Sequence, residues 1–410
     1  MSVDRELQCV TKLSKRLLVI SPHFKLFIKD QIIAISNYFA NVSVLVPHPY
    51  FPYPFLSVPL FEKRLLFLEN AMDSCKTHIS SNIDSFYPRF FTLPIEIMRK
   101  RAPLISAASS TKMLKKKSIK FDLVHIHRLD VGFTGAVIKE NCGKPFVVTC
   151  HGSDVYDFPF KDEYRHSIAK YTLNKVDHVI AASKSEADKL LSLGLDSRKL
   201  SQIPNGFDDA LFSPVLQKSA RAELGLPLNK KILLSVATLD EVKGHIYLIR
   251  AMHTITKIRS DVIAVIIGSG PLEEKLRKEI TKLGLTEKVL LIGREPHNRI
   301  PSWINASDIF LLPSLNEGFP TVIPEAMACG KPIIGTNVGG IPDAISDEDI
   351  GILVNAADPE ALAQAILDSL SRKWPSERIC ESAQKYSLRT ITEQILSIYQ
   401  DVLGKYITRD

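Results

Sequence analysis

Two carboxylates eight residues apart, Glu317 and Glu325, bracket the stretch of this sequence richest in chemistry, Asn316-Glu317-Gly318-Phe319-Pro320-Thr321-Val322-Ile323-Pro324-Glu325. The apolar run Ile309 to Leu312 before it reads as a buried strand and is followed by a Pro313-Ser314 turn. The Gly318-Phe319-Pro320 step then opens a helix expected to run to Gly330, a natural C′ residue. Pro324 falls in its first turn, where a missing N–H breaks no intrahelical bond. Such a helix leaves the amides of Gly318 to Thr321 at the positive end of the dipole, an anion site that suits a diphosphate. Glu317, at the mouth, has the chemistry to grip a sugar hydroxyl. Glu325, about two turns further on, can accept from both hydroxyls of a ribose, because an ionised carboxylate is all acceptor. The plainer alternative is a helix start whose acidic residues only offset the dipole, worth about 0.3–1 kcal/mol.

The elements that must hold these residues alternate strand and helix. In the second half, Lys231 to Val236 reads as a strand, and Gly244 to Ile258 as a helix with Leu248, Ala251, Met252 and Ile255 on one face. Ala264 to Gly268 is the next strand, ending in Gly268-Ser269-Gly270, a turn open enough to admit a base or ribose. Val289 to Gly293 follows, with Arg294 behind it. Gly339-Gly340 reads as a tight turn. In the first half, Arg16 to Ile20 and Val42 to Val46 are strands around a helix carrying Ile28, Ile32, Ile33 and Ile35. Strands at 122–127 and 145–149 flank a helix over 132–141, and another strand spans 177–183. Repeated units of this kind predict an α/β protein of two doubly wound, Rossmann-like domains. Ligands then bind beyond the C-terminal strand ends, in a cleft where two such edges face each other.

At 410 residues the chain has room for two or three domains, and 24% charged with 45% hydrophobic residues is the balance of an ordinary globular protein. The cysteines at 9, 75, 142, 150, 329 and 380 form no C-x-x-C pair, so neither a disulfide framework nor a zinc site is expected, and Cys150 and Cys329 read as buried thiols. The start of the chain lacks an apolar signal core and no apolar run reaches membrane-spanning length, which makes the cytoplasm the expected location. The net charge of +7 is not accompanied by a nucleic-acid motif. Anionic nucleotide-sugars and anionic lipid headgroups are the better partners for it.

Pro313-Ser314 through Glu317-Gly318-Phe319-Pro320, then Glu325-Ala326-Met327-Ala328 and Gly330-Lys331-Pro332, resembles the signature of the retaining glycosyltransferases of the GT-B fold, glycosyltransferase family 4. The resemblance extends to His151-Gly152-Ser153-Asp154, whose histidine in the family faces the donor sugar across the cleft. It extends also to Pro204-Asn205-Gly206-Phe207-Asp208, the turn closing the first domain, and to Lys243-Gly244, the diphosphate loop. It implies an acceptor-side domain over 1–210, a nucleotide-sugar domain over 211–385, and a C-terminal helical segment, 386–410, that crosses back to the first. Glu317 would position the sugar, with Glu325 on the ribose, Lys243 on the diphosphate and His151 on the sugar from the opposite wall. Gly268, Gly270, Arg294, Gly318, Phe319, Pro320 and Thr321 would complete the donor site. A lysine at the diphosphate loop stabilises charge building on the leaving group, and a cation at a helix start is otherwise disfavoured by the dipole.

Two departures from the family pattern stand out. Thr238 occupies the place of a second base, for which Arg294 and Lys331 are the available substitutes, and Lys25-Leu26-Phe27 replaces the glycines of the first loop, with Lys25 as a point charge. With lysine and dipole carrying the diphosphate, no metal or other cofactor is expected, and Asp347-Glu348-Asp349 reads as a solvated turn. The least patterned region, 48–110, is rich in Pro, Phe and Tyr. Arg99, Lys100, Arg101, Lys112, Lys115, Lys116 and Lys117 follow within or after it. A packed insertion beside a solvated helix is one reading; docking on an anionic membrane surface is the other. His125 and His127 read as residues that merely end their strand. The expected reaction is transfer of a hexosyl unit from a UDP- or GDP-linked sugar to the hydroxyl of a glycan or lipid-linked acceptor. The alternatives are a sugar-nucleotide epimerase of the same fold, a phosphorylase, for which no cofactor-lysine motif is apparent, and a nucleotide-sugar-binding protein with a decayed site.

Overall fold

The structure is a computed structural model and describes residues 13–22, 26–50, 80–92 and 96–407. The described residues fall into two compact units, one within 1–182, 186–203 and 391–410, the other within 183–185 and 204–390.

The first unit contains β1 (Leu13–Ile20), β2 (Phe39–Leu45), β3 (His48–Tyr50), β4 (Ile83–Phe86), β5 (Arg89–Phe91), β6 (Leu123–His127), β7 (Phe146–Thr149), β8 (His178–Ala181) and β9 (Leu200–Gln202). Seven of these form a parallel sheet in the order β4-β2-β1-β6-β7-β8-β9, while β3 and β5 pair separately. Leu17 to Ile20 are all buried because both faces of the sheet are covered. The period of two sorts them: Leu17, Val19 and Leu123 enter one core, and Leu18, Ile20, Val124 and Ile126 the other. The first core also receives Ile28, Ile32 and Ile35 from the helix Leu26–Ser36. Ile391, Ile395, Leu396, Tyr399, Val402 and Leu403 of the last helix, Leu388–Ile407, join it.

The second unit contains β10 (Lys231–Val236), β11 (Val262–Ile267), β12 (Val289–Gly293), β13 (Ile309–Leu312), β14 (Ile333–Thr336) and β15 (Gly351–Val354), all parallel in the order β12-β11-β10-β13-β14-β15. The helix His245–Ile258 buries Leu248, Ala251, Met252 and Ile255 as its periodicity requires. In each sheet the direction of winding reverses once, between β1 and β6 and between β10 and β13. Loops leaving the C-terminal ends of such a strand pair diverge and open a crevice, so these are the places where a doubly wound sheet binds ligands.

Several expectations shift. The helix read as Gly318 to Gly330 is only Val322–Ala328, so the chain from Glu317 to Thr321 is loop and Glu325 sits in the first helical turn. Packing holds that loop out of the helix: Asn205 Nδ2 donates to the Phe319 carbonyl at 3.4 Å, and the Glu317 carbonyl accepts the Gly340 amide at 3.4 Å. The 132–141 helix becomes a 3-10 turn, Leu129–Val131, followed by Phe133–Cys142. In the helix Glu96–Lys116, Lys112, Lys115 and Lys116 are exposed, as is Lys117 beyond its end. The aromatic run Phe51 to Phe55 and Lys25 lie outside the described residues. No helix among the described residues is long and apolar enough to cross a membrane.

Candidate active site

Lys243, Glu317 and the glycines flagged by sequence meet at the winding reversal of the second sheet. Gly244, just past Lys243, adopts a left-handed φ of 65°, and a Cβ there would lie 2.0 Å from the Pro313 carbonyl oxygen. The loop after β10 therefore rests directly on the loop after β13. The Leu315 N–H donates to the Val242 carbonyl at 2.7 Å and fastens the two. In this setting Lys243 Nζ reaches Glu317 Oε1 at 2.7 Å, and Ser314 Oγ donates to the same oxygen at 2.7 Å. Thr336 Oγ1 on β14 in turn donates to the Ser314 carbonyl.

This pairing corrects the placing of Glu317 at an open mouth. Its side chain is 9% exposed and salt-bridged to Lys243, which is 24% exposed. The anion that a cation beside a helix start requires is, in this structure, the Glu317 carboxylate. Beneath it lies Gly339, with φ of 53°, where a Cβ would fall 1.8 Å from the Glu317 carbonyl oxygen. The Gly339-Gly340 turn is thus the seat of the Glu317 loop.

Gly318, Phe319 and Thr321 follow with amides that, among the described residues, donate to no acceptor. Pro320 has no N–H to offer, so the expected run of amides is interrupted there. The Phe319 ring is buried against Tyr386, centroids 5.3 Å apart, which leaves its backbone as the part able to meet a ligand. Glu325 is buried, with Oε1 3.3 Å from His297 Nε2. His297 comes from the turn after β12 and lies edge-on to Phe212 at 5.4 Å. Gly268 and Gly270 lock onto the β10 loop: Cβ atoms there would meet the Ala237 and Leu239 carbonyl oxygens at 1.8 and 2.4 Å.

The two proposed substitute cations separate. Arg294, exposed after β12, has no hydrogen bond or ion pair among the described residues and stands at the C-terminal strand edge with the others. Lys331 precedes β14, so it stands at the opposite, N-terminal edge of the sheet, where its Nζ donates to the Asn305 carbonyl at 2.8 Å. It cannot replace a cation at the diphosphate loop. Thr238 Oγ1 donates to Asp240, whose other oxygen accepts the Lys243 amide at 3.2 Å. Asp347 and Asp349 are not a bare solvated turn: Arg378 pairs with both, and Arg372 with Asp349 at 3.1 Å. Cys150 and Cys329 are buried; burial raises both thiols, Cys329 to about 12, and keeps them protonated.

In the first unit His151 follows β7, next to Gly152 in a positive φ of 95°. Asp154, fully buried, accepts from the Leu129 amide at 2.7 Å and the His151 amide at 2.9 Å. The aspartate of the His-Gly-x-Asp segment thus ties the loop after β6 to the loop after β7. His125 and His127 do more than end their strand: both are fully buried, and His127 Nδ1 lies 3.0 Å from His151 Nε2. Sequence reasoning passed over His127, Ser314, Thr336 and His297; a histidine three residues past Arg294 was the one local hint for the last.

The model of the family "Glycosyl transferases group 1" matches residues 217–386, and that of "Glycosyltransferase Family 4" matches residues 77–211. The D-inositol 3-phosphate glycosyltransferase of Mycobacteroides abscessus is 29% identical over 297 residues, 70% of this chain and 67% of that protein. The putative teichuronic acid biosynthesis glycosyltransferase TuaC of Bacillus subtilis is 29% identical over 322 residues, 77% of this chain and 78% of that one. Among solved structures, sucrose-phosphate synthase from Thermosynechococcus elongatus superposes with a TM-score of 0.76 at 22% identity, covering 95% of this chain and all of that one. Anabaena HepE in complex with UDP-glucose gives 0.69 at 20% identity, over 94% and 100%. With both halves matched by family models and the fold shared along nearly its whole length, the chain belongs to the group 1, family 4 glycosyltransferases and has the GT-B fold.

Proposed function

We propose that this chain is a retaining hexosyltransferase that takes a nucleotide-diphospho-sugar, UDP- or GDP-linked, and transfers its sugar to the hydroxyl of a glycan or lipid-linked acceptor. The observation that carries the reading is the group at the winding reversal of the second sheet. There Lys243 and the unbonded amides of Gly318, Phe319 and Thr321 stand at one strand edge with Glu317 and Glu325. Amides and lysine together take the charge of a diphosphate, and Glu325 takes the ribose hydroxyls. That relatives of this fold were solved with UDP and UDP-glucose bound supports the donor class.

In the proposed reaction the acceptor oxygen attacks the anomeric carbon on the face from which the diphosphate leaves. The bond from that carbon to the phosphate oxygen breaks with its electron pair going to the diphosphate. The leaving phosphate oxygen receives the acceptor proton. Lys243 and the loop amides stabilise the charge as it grows, without need of a divalent metal. Glu317 positions the sugar, and His151 is assigned to the sugar by the family resemblance. Exposed Lys112, Lys115, Lys116 and Lys117 favour an acceptor carried on an anionic surface, each worth about 1 kcal/mol close to one.

The full chain, titrated with a panel of UDP- and GDP-hexoses by thermal shift, is expected to select one donor. Incubation with lipid and oligosaccharide acceptors should then give a product of unchanged anomeric configuration by NMR. Inversion at the anomeric carbon, or epimerised donor without any acceptor requirement, would overturn the proposal.

A further inference from the structure

The second unit has a cavity on the side of its sheet away from Lys243. It holds about 220 Å³ and opens at the N-terminal strand edge, where Lys231 begins β10, Asp308 precedes β13 and Lys331 precedes β14. Ser369, near the end of the helix Pro359–Ser371, and Trp374 complete its wall. The four residues of β13, at about 3.3 Å each, put this edge roughly 13 Å from the loop that carries Glu317. The cavity is therefore no part of the donor site.

Three cations share one carboxylate there. Asp308 Oδ2 accepts from Arg221 and from the Ile232 amide, both at 2.7 Å, and Oδ1 lies 3.3 Å from Lys231 Nζ. Lys331 Nζ gives one hydrogen bond, to the Asn305 carbonyl at 2.8 Å, and has no other acceptor among the described residues. Two positive charges are left over. Burial lowers the Lys331 ammonium below the ordinary lysine range, as expected of a charge short of water and of a counterion. Ser369 is 2% exposed, and its hydroxyl has no hydrogen-bond partner among the described residues. Such a group calls for a water or a ligand. The helices Ile300–Ala306, Val322–Ala328 and Pro359–Ser371 end at this edge, and their dipoles oppose an anion. Protein donors already meet the carbonyls concerned: Lys331 that of Asn305, Arg221 that of Ala306, Ser376 that of Gly330 and the Trp374 indole that of Ser369.

We propose that this cavity binds a phosphomonoester of metabolite size, at a site separate from that of the nucleotide-sugar. Lys231 and Lys331 hold the phosphate, and the Ser369 hydroxyl donates to it. A phosphomonoester carries about 1.5–2 negative charges at pH 7, which matches the surplus. Ammonium groups serve phosphate as point charges, whereas a carboxylate is better held by an arginine fork. The forks at hand are engaged, Arg221 by Asp308 and Arg372 by Asp349 and by stacking on Trp374, 4.3 Å from the ring centre. The space equals about seven waters at roughly 30 Å³ each. That is room for a phosphate and a few carbons against Trp374, and too little for a nucleotide-sugar.

The full chain is to be titrated by calorimetry with inorganic phosphate and with glycerol 3-phosphate. Both are expected to bind, the ester more tightly through its carbons. Lys231→Met and Lys331→Met should each weaken the ester about 10–100-fold, the equivalent of one charge-assisted hydrogen bond. Lys243→Met, at the opposite edge, should keep this site. In wild type the ester should also protect Lys231, 43% exposed, from acetylation by acetic anhydride, read site by site by mass spectrometry. That measurement decides even if Lys331→Met does not fold. Protection of Lys243 without Lys231, protection of neither, or ester affinity indifferent to Lys231→Met would overturn the inference. Inorganic phosphate binding as tightly as the ester would overturn the choice of an ester. Should Lys231→Met lower stability and leave ester binding intact, the lysine only offsets Asp308 and the site falls.

Discussion

Lys243 and Glu317 form an ion pair whose acid is 9% exposed and whose base keeps contact with solvent. Removing the lysine leaves a carboxylate with Ser314 as its remaining hydrogen-bond donor among the described residues. Lys243→Ala is therefore expected to lower the unfolding free energy by about 1–3 kcal/mol, less than for a fully buried pair. Lys243→Met combined with Glu317→Gln should recover part of that loss, and urea titration of both variants measures it. Catalytically the two carboxylates separate. Glu325→Ala should weaken donor binding about 10–100-fold by calorimetry, the loss of one or two hydrogen bonds to a charged acceptor. Glu317→Ala should leave donor binding close to normal and lower turnover. Wild-type behaviour in both would remove the site assignment.

At the scale of the element, loops are held by glycines that tolerate no side chain. Gly339→Ala would push a methyl into the Glu317 carbonyl, 1.8 Å away, at a φ of 53° that an L residue rarely adopts. The expected result is a loss of about 1–3 kcal/mol of stability together with weakened donor binding. Gly143→Ala, with left-handed φ but open space, should lose stability and leave binding alone. The helix after the Lys243 loop opens with His245, 2% exposed, and burial holds its imidazole down at about 4. The unfolded chain, with an ordinary value near 6.5, binds a proton that the folded chain refuses. Stability therefore falls as pH drops from about 6.5 toward 4, by about 1.4 kcal/mol per unit for one such residue, and is flat above about 7. His125 and His127 shift in the same direction and steepen the loss. Urea midpoints at pH 7 and 5 should differ less in His245→Phe than in wild type; an equal difference would exclude His245 as a source.

On the scale of the molecule, the chain closes its first unit with its last residues. Ile391, Ile395, Leu396, Tyr399, Val402 and Leu403 cover the face of the first sheet that carries Leu17 and Val19. At about 1.5–3 kcal/mol per buried apolar side chain, their removal costs as much as the roughly 5–15 kcal/mol by which a domain is stable. Deletion of residues 391–410 is thus expected to give unfolded or aggregated protein, read by circular dichroism and sedimentation. Tyr399→Phe keeps the packing, loses the hydroxyl to His125 and should cost about 1 kcal/mol.

The alternation of apolar runs with 3.6-period segments was enough to read two doubly wound sheets, and the residues past the strand ends suggested Gly268 and Glu317, while Lys243 and Arg294 were suggested by the family resemblance. Those signals are local, since period and turn chemistry act over a few residues. Which of these ends meet was not legible, because adjacency of β10 and β13 joins Leu233 to Ile309, which stand far apart in the sequence. Thr336 and His297 acquire their partners through the strand order of that sheet, and His127 through that of the first. The late start of the Glu325 helix, at Val322, came from tertiary packing too, as contacts with Asn205 and Gly340 outweighed the local preference of the Gly318-Phe319-Pro320 step. The kind of fold and the strand ends that carry chemistry were written in the sequence itself; the pairing of Lys243 with Glu317 and the orientation of His151 were decided by tertiary packing, since hydrogen bonds form between groups that the folded sheet brings within 3 Å.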